Sequence, residues 1–377
     1  MDFSHSEIQQ MLHDSITKFV SDNGGVEQHR ELGDKGLSHN EALWKQFAEL
    51  GWLAAPFDEE HGGLAAGSAD MMVITEALGK GLLSEPFLST VVCCGGFLRK
   101  AGSEEQQAKY VPSIIDGSAQ WAFAFAELGG GYNMAAIECS AEESTNSYRL
   151  NGEKIAVING GTADYFILSA RSSGKSRDTD GISLFIVDAK SSGVERTTMT
   201  TVDGRVAATV RFDNVELGAE NLLGDLDQAH PIIESVVNET IVAMSGDALG
   251  AMQMLLDMTV EYTKTREQFG QAIGKFQVLQ HRMVDMYLRL EETRSLLFDA
   301  AIQVDNNSAN ATKACAALKV KMCQAGRLVS HEAVQLHGGI GMTDELGVSH
   351  YFKRLQVLAM LFGDEDHYLE KYVSLSS

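Results

Sequence analysis

Several familiar patterns are missing from this sequence, and each absence excludes a kind of protein. The five cysteines form no CxxC pair and are odd in number, which excludes a disulfide framework and predicts reduced thiols in a cytoplasmic protein. They are Cys93, Cys94, Cys139, Cys315 and Cys323. No HExxH pattern and no tight cluster of histidine and cysteine occurs, so we expect no metal site. No uninterrupted apolar run reaches about 18 residues, so no segment is expected to span a membrane.

Basic charge is also scarce. The chain has 30 Lys and Arg against 52 Asp and Glu, a formal charge of -22. This balance disfavours binding to nucleic acid and to anionic membranes, and a phosphate-bearing ligand would have to be held by local cations. The N-terminal stretch MDFSHSEIQQML lacks the basic start and the apolar core of a signal peptide.

The nucleotide-binding motifs of wound α/β folds are absent as well. No GxGxxG follows a strand and opens a helix, and no GxxxxGK[ST] occurs. The composition is that of an ordinary globular protein, with 44% hydrophobic and 22% charged residues. A length of 377 residues favours two or three domains, at roughly 150 residues each.

The hydrophobic period changes twice along the chain, which predicts three domains. Residues 1–118 and 227–377 carry a helical period, whereas residues 119–226 alternate in short β-rich runs. The expected strands are Lys154–Asn159, Tyr165–Ala170, Ile182–Asp188, Val194–Met199 and Ala207–Phe212; the expected long helices are Ile232–Lys264, Gln277–Asn306, Asn310–His337 and Thr343–Met360. This order predicts an N-terminal helical domain, a middle β-sandwich or barrel and a C-terminal four-helix bundle.

The most distinctive stretch is Tyr262–Gln280, YTKTREQFGQAIGKFQVLQ. The planar guanidinium group of Arg266 presents N–H donors in a geometry that suits a phosphate. Gly270 and Gly274 enclose a segment too rich in glycine for a helix interior, which predicts a loop whose backbone approaches a ligand closely. A short loop between two bundle helices, with one surface arginine, explains the same residues, so both interpretations stay open.

Two motifs and the order of the domains resemble the acyl-CoA dehydrogenase family. The motifs are TREQFGQAIGKFQ, around Arg266, and QLHGGIG at residues 335–341; LGWLAAPFDEEHGG near residue 55 and LLG at 222–224 extend the likeness. The resemblance implies the family's α+β fold and a tetramer that holds FAD between subunits. It also implies oxidation of an acyl-CoA thioester to its 2-enoyl form, in which a carboxylate removes the α-proton and the β-hydrogen leaves as hydride to the flavin. Electron-transfer flavoprotein is then the expected electron acceptor.

One half of the family's flavin site is intact in this chain. In the family, the helical bundle of a neighbouring subunit contacts the diphosphate and adenosine of FAD. The residues that match this half in kind and spacing are Arg266, Phe269, Gln277, Gln335, Gly338 and Gly339. The resemblance therefore assigns them to cofactor binding, where glycine permits close backbone approach and arginine suits a phosphate.

The half that cradles the flavin ring differs from the family. The family's Thr-Glu-Pro is Ala126, Glu127 and Leu128 here, and its Gly-Ser-Asp is Gly-Tyr-Asn at residues 131–133. Its Trp-Ile-Thr-Asn-Gly is Ala-Val-Ile-Asn-Gly at residues 156–160. Three hydroxyls and the indole that packs on the ring are missing. Each polar edge left without a partner costs about 1–3 kcal/mol, so we do not expect a flavin ring in this barrel.

The catalytic base is absent from its commonest place. The family's Tyr-Glu-Gly-Thr aligns with residues 361–364, so Phe362 replaces the carboxylate. Some members use a glutamate on the first bundle helix, where Thr240 stands here. The candidate substitutes are Glu239 and Asp247, followed by Asp364 and Glu365. For each of them a solvated helix face is the alternative interpretation, because charged side chains are mostly exposed.

Three hypotheses follow from the resemblance. The chain is the partner subunit of an α2β2 acyl-CoA dehydrogenase and clamps FAD for a catalytic sister chain, or it is a self-sufficient homotetramer with Glu239 or Asp247 as a displaced base. A redox-inert scaffold with the same fold is the third, since a fold does not fix a function. The expected substrate is an acyl-CoA, whose acyl group the sequence does not identify.

Overall fold

The computed structural model describes residues 7–376, with side chains described from residue 9. Residues 1–6, which begin the stretch that argues against a signal peptide, and residue 377 lie outside the described residues. No helix of the described range is long and apolar enough to cross a membrane.

The α-helices lie towards both ends of the chain and the main strands lie between them. The helices are α1 (Glu7–Asn23), α2 (Val26–Asp34), α3 (Glu41–Glu49), α4 (Ser68–Lys80), α5 (Gly95–Ala101), α6 (Glu104–Ile115), α7 (His230–Thr265), α8 (Gln277–Asp305), α9 (Ala311–His337), α10 (Gly347–Met360) and α11 (Glu365–Ser374). The strands are β1 (Trp121–Ala124), β2 (Ser140–Ser144), β3 (Ser147–Ile158), β4 (Tyr165–Arg171), β5 (Ile182–Asp188), β6 (Val194–Thr200), β7 (Val206–Gly218), β8 (Leu222–Leu223), β9 (Glu267–Gln268) and β10 (Gln271–Ala272).

The chain folds into two compact units, each assembled from separate parts of the sequence. Of the described residues, the first comprises 7–37, 67–84 and 241–376, and the second comprises 38–66 and 85–240. The predicted domain boundaries at residues 118 and 226 stay a prediction, because this division follows compactness in space and not the order of the chain.

The second unit contains an eight-stranded mixed sheet. Its hydrogen-bonded order is β6-β7-β3-β2-β4-β5-β8, and β1 pairs with β4 in parallel. Within the described residues this path does not close on itself, and the predicted middle β domain is present as one mixed sheet. The five predicted strands correspond to β3 through β7. The unpredicted β2 reads Ser-Ala-Glu-Glu-Ser and lacks the β-branched and aromatic residues that mark strands.

The first unit is built around α7. Residues 240–252 of this helix are buried without interruption, so it forms the centre of the helical core. α4 crosses it closely, because a side chain at Gly250 would lie 2.0 Å from the carbonyl oxygen of Glu76. The four predicted C-terminal helices match α7 to α10, and α11 is an additional helix after them.

The cysteines have the character expected of structural thiols. All five are free and buried. Burial raises the pKa of Cys139 to about 11 and that of Cys315 to about 12. Thiols in such surroundings stay protonated at neutral pH and react slowly.

Candidate functional site

The stretch Tyr262–Gln280 forms the end of α7, a tight hairpin and the start of α8. β9 and β10 pair antiparallel around Phe269 and Gly270, whose φ angles are 54° and 79°. Positive φ at both central residues is the type I′ pattern, in which glycine is preferred. The backbone N–H of Ile273 donates to the carbonyl of Arg266 at 2.8 Å. The segment predicted as a loop is therefore an ordered hairpin.

An aromatic contact brings the second motif to the same end of the first unit. The rings of Tyr262, near the end of α7, and His337, at the end of α9, lie 4.4 Å apart. His337 is buried and its Nδ1 lies 2.8 Å from the carbonyl oxygen of Ala333, which fixes this ring nitrogen as the donor. Burial lowers the pKa of His337, so it packs as a neutral ring. The contact places Arg266 and the glycines after His337 at one end of the helical unit.

The six residues matched to cofactor binding face outward from the chain. Phe269 is 91% exposed, at the tip of the hairpin. The side chain of Arg266 has no ion pair within residues 7–376, although the chain is strongly acidic. The exposed members of this set are Arg266, Phe269, Gln277, Gln335, Gly338 and Gly339. An unpaired arginine at an exposed surface is available to an anionic ligand.

The physical reason for glycine differs among the three glycine positions Gly274, Gly338 and Gly339. A side chain at Gly274 would lie 2.9 Å from the carbonyl oxygen of Thr263, so packing within the chain requires this glycine. Gly338 has a φ of 70°, which favours glycine through its backbone. Gly339 has neither reason: its φ lies outside the left-handed region, and a Cβ there would meet nothing within 4 Å. Neither packing nor backbone conformation among the described residues accounts for glycine at this position.

α8 begins at the same end of the unit without a side-chain cap. Its first residue is Gln277, and the preceding Phe276 forms no capping hydrogen bond. The N-terminus of a 29-residue helix presents free N–H groups and a partial positive charge. Together with Arg266, this arrangement favours a phosphate group.

In the second unit, the backbone around the matched ring site is held by a buried ion pair. Lys154 is fully buried and donates to Glu127 Oε1 at 2.6 Å and to the carbonyl of Phe125 at 3.1 Å. Glu127 also accepts the backbone N–H groups of Glu138 and Cys139. These bonds satisfy Glu127 within the protein, so its carboxylate serves the fold.

Three of the side chains at the matched ring positions offer nothing polar to a flavin ring. Ala126 and Ile158 are half-buried, and Ala156 is exposed with a left-handed φ of 50°. None of the three has a side-chain donor or acceptor. Tyr132 stands where the family has serine and is half-buried.

Phe362, at the position aligned with the family's base, has an unusual backbone. Its φ of 57° is rare for a bulky residue. Its carbonyl accepts a hydrogen bond from the Tyr368 hydroxyl at 3.1 Å. The following Gly363 has a φ of 130°, and a side chain there would approach the Tyr368 ring to 2.5 Å. The turn geometry is thus maintained around a side chain that cannot accept a proton.

The two weaker candidate bases have structural roles at the start of α11. Asp364 caps this helix, because its carboxylate accepts the backbone N–H of His367 at 3.0 Å. Glu365 accepts from Gln324 at 2.8 Å and pairs with Arg327 at 3.0 Å. Both carboxylates are engaged, which disfavours them as bases.

Glu239 and Asp247 are also held in ion pairs. Glu239 lies 2.8 Å from Arg99 and 2.8 Å from Lys100. Asp247 Oδ2 lies 2.9 Å from Nη1 of the buried Arg354. Both carboxylates are thus engaged by cations of the same chain and are not free side chains on a solvated surface. The structure therefore corrects the alternative of a solvated face for these two residues, and it gives no support to either as the base.

The cations that neutralise these carboxylates were missed in the sequence. Arg99 is 140 residues from Glu239, and Arg354 is 107 residues from Asp247. No local spacing rule connects residues so far apart. Lys275, in the turn before α8, is another cation that the family match does not include. No acidic residue lies three or four positions away from it in the sequence.

Three family models together match most of the chain. The family model for the acyl-CoA dehydrogenase N-terminal domain matches residues 6–118, that for the middle domain residues 122–215 and that for the C-terminal domain residues 231–371. The chain belongs to the acyl-CoA dehydrogenase family. The predicted family and fold are confirmed, and so is the predicted enzyme class, oxidoreductases that act on CH–CH bonds.

Curated relatives match over nearly the whole chain. Isovaleryl-CoA dehydrogenase of Solanum tuberosum is 27% identical over 354 residues, which cover 92% of this chain and 85% of the relative. The short-chain specific acyl-CoA dehydrogenase of Megasphaera elsdenii is 27% identical over 379 residues and 97% of each chain.

Solved structures agree closely with this fold. A chain in a structure of the electron transferring flavoprotein of Acidaminococcus fermentans has a TM-score of 0.92 and 28% identity, covering 99% of this chain and 98% of its own. The FAD complex of PigA has a TM-score of 0.93, 27% identity and full coverage of both chains. A chain of the ChsE4-ChsE5 complex of Mycobacterium tuberculosis has a TM-score of 0.90 and 27% identity, covering 99% of this chain and 98% of its own.

Proposed function

We propose that this chain is the partner subunit of a heteromeric acyl-CoA dehydrogenase and clamps FAD whose ring lies in a catalytic sister chain. The observation that carries the proposal is the contrast between the two matched halves of the flavin site. Arg266 and Gly339 are exposed, and within residues 7–376 the Arg266 side chain forms no ion pair and a Cβ at Gly339 would meet nothing within 4 Å. Ala126, Ala156 and Ile158 offer no polar side chain to a flavin ring.

The residues present fit one part of FAD. Arg266 would hold the diphosphate through charge-assisted hydrogen bonds, and the backbone at Gly338 and Gly339 would lie against the cofactor. The ring does not fit the matched positions of the second unit, for the reason given above. When bound, FAD supplies the oxidising chemistry of the family by taking up hydride from the acyl chain.

The contribution of this chain is then binding and assembly. Phe362 cannot remove the α-proton, and Glu239 and Asp247 are occupied by cations. These contacts disfavour the alternative of a self-sufficient homotetramer with a displaced base. We assign proton removal from the acyl-CoA to the sister chain.

An exposed apolar face on α8 supports an assembly of subunits. Val284, Tyr287 and Leu288, which share one side of this helix, are 53%, 52% and 51% exposed. Clusters of exposed apolar side chains mark interaction surfaces on soluble proteins. A second acyl-CoA dehydrogenase-like chain is the proposed occupant, and the similar ChsE4-ChsE5 complex is a two-protein precedent. Electron-transfer flavoprotein is the proposed electron acceptor and cytoplasm the proposed location.

Flavin content tests this proposal. The full chain expressed alone should be colourless or contain far less than one FAD per chain. Co-expression with a sister chain that has the Thr, Trp and carboxylate positions restored should give a yellow complex with about one FAD per pair, measured by absorbance after denaturation.

Each alternative has its own result in this experiment. Full flavin content and turnover by the lone chain would establish the self-sufficient enzyme. A stable pair without flavin would favour the redox-inert scaffold. Either result would contradict the partner-subunit proposal.

Gly339→Ala separates a role in cofactor binding from a role in folding. In the assembled pair we expect FAD retention to fall severalfold, because the added methyl group would occupy the surface against which the cofactor lies. In the lone chain the melting temperature should be unchanged or slightly higher, since the site is open and alanine restricts the unfolded chain. Gly274→Ala is the matched control and should lower the melting temperature of the lone chain through its contact with Thr263. Full FAD retention by the Gly339 variant would remove this residue from the site.

A further inference from the structure

We propose that Lys275 is a second cation for the cofactor diphosphate and acts beside Arg266. This inference rests on the partner-subunit function proposed above, and it adds a binding residue that the family resemblance does not assign.

The hairpin returns the chain to Arg266 two residues before Lys275. Because β9 and β10 pair antiparallel, the backbone of Ile273 returns to Arg266 and donates to its carbonyl at 2.8 Å. Ile273–Lys275 then forms one 3-10 turn, and α8 begins two residues after Lys275. Lys275 therefore follows the residue that bonds to Arg266 by two positions and precedes the uncapped start of the helix by two positions.

The other basic side chains nearby are already neutralised. Lys264 lies 2.6 Å from Glu261, and Arg282 donates through Nη2 to Glu332 at 3.0 Å. Lys275 is exposed and forms no ion pair within the part of the chain that the structure describes. Two unpaired cations thus lie within ten residues of each other, in a chain with a formal charge of -22.

A diphosphate requires more charge than one arginine supplies. Each phosphate of the cofactor carries one negative charge at neutral pH, so a single guanidinium leaves half of the charge uncompensated. An ammonium on a flexible stem is a point charge that reaches a second oxygen without the fixed geometry of a guanidinium. Glu267 is the one acidic residue of the hairpin and forms no ion pair with Arg266 or Lys275 among the described residues.

The test uses the assembled, co-expressed pair and measures the dissociation constant of FAD at several salt concentrations. We expect Lys275→Gln to weaken FAD binding about fivefold and to reduce its salt dependence. Lys275→Arg keeps the charge and should bind FAD nearly as the wild type does. Lys264→Gln removes a nearby cation that is already paired and should have little effect. Arg266→Ala should weaken binding more than Lys275→Gln.

The outcomes separate this inference from the function on which it rests. If Arg266→Ala weakens FAD binding and Lys275→Gln does not, the second cation is refuted and the clamp survives. If Lys264→Gln weakens FAD binding as much as Lys275→Gln does, the effect arises from the general electrostatic field of the chain. A direct contact between Lys275 and the cofactor is then refuted. If neither Arg266→Ala nor Lys275→Gln changes binding, the proposed function fails as well.

Discussion

Replacing Arg266 with alanine is expected to release FAD from the assembled enzyme. Hydrogen bonds from charged donors contribute about 1.5–3 kcal/mol, which corresponds to roughly 10- to 100-fold weaker binding. Among the residues that the structure describes, Arg266 makes no side-chain hydrogen bond or ion pair, so the stability of the lone chain should not change. Absorbance of retained flavin after gel filtration measures the first effect, and thermal unfolding of the lone chain measures the second.

A matched variant distinguishes loss of the clamp from loss of surface charge. Arg289 lies on α8, is exposed and pairs with Glu292 at 2.9 Å. Arg289→Ala removes the same charge from the same unit and should leave FAD retention unchanged. If Arg266→Ala also left retention unchanged, the assignment of the diphosphate to this stretch would be wrong.

Replacing Arg354 with methionine should cause a large loss of stability. Arg354 is buried and bonds to Asp247 at 2.9 Å, to the carbonyl of Leu83 at 3.0 Å and to Ser84 at 3.3 Å. The variant leaves a buried carboxylate without its cation, which costs about 3–5 kcal/mol. Urea unfolding of the full chain, alone and in the pair, measures the change in the free energy of unfolding.

The double variant Asp247→Leu with Arg354→Met tests the reason for this loss. Removing both charges leaves no uncompensated ion, and apolar replacements of buried pairs are often tolerated. The double variant should therefore recover at least about half of the stability lost by Arg354→Met. A double variant as unstable as the single one would show that the two residues are not coupled. FAD retention per folded pair should stay normal in both variants, because neither residue belongs to the clamp.

The periodic parts of the fold could be predicted because their signal is local. The long helices α7 to α10 and the strands β3 to β7 repeat apolar residues over many positions. For most of these elements, the predicted bounds lie within a few residues of the observed ones. β2 was missed because its own residues carry little β signal and its pairing with β3 decides its conformation. The sequence around Phe269 predicts a loop and not a hairpin, because two-residue strands are too short to show alternation.

Some properties of the candidate site likewise follow from the local sequence, and others depend on contacts between distant residues. The sequence by itself determined which chemical groups are missing, since Ala126, Ala156, Ile158 and Phe362 lack the necessary atoms in any conformation. It also determined, through two short motifs, which residues match the clamp. Both conclusions depend only on residue type and spacing.

Only the tertiary structure decided whether the remaining groups are free to act. Glu239 and Asp247 looked available until the fold placed cations beside them, because ion pairs join residues that are distant in the chain. Gly274 and Gly339 look alike in the sequence, but the first is fixed by contact with Thr263 and the second faces open space. Whether a side chain is free to bind or react depends on the residues around it, and these come together only when the chain has folded.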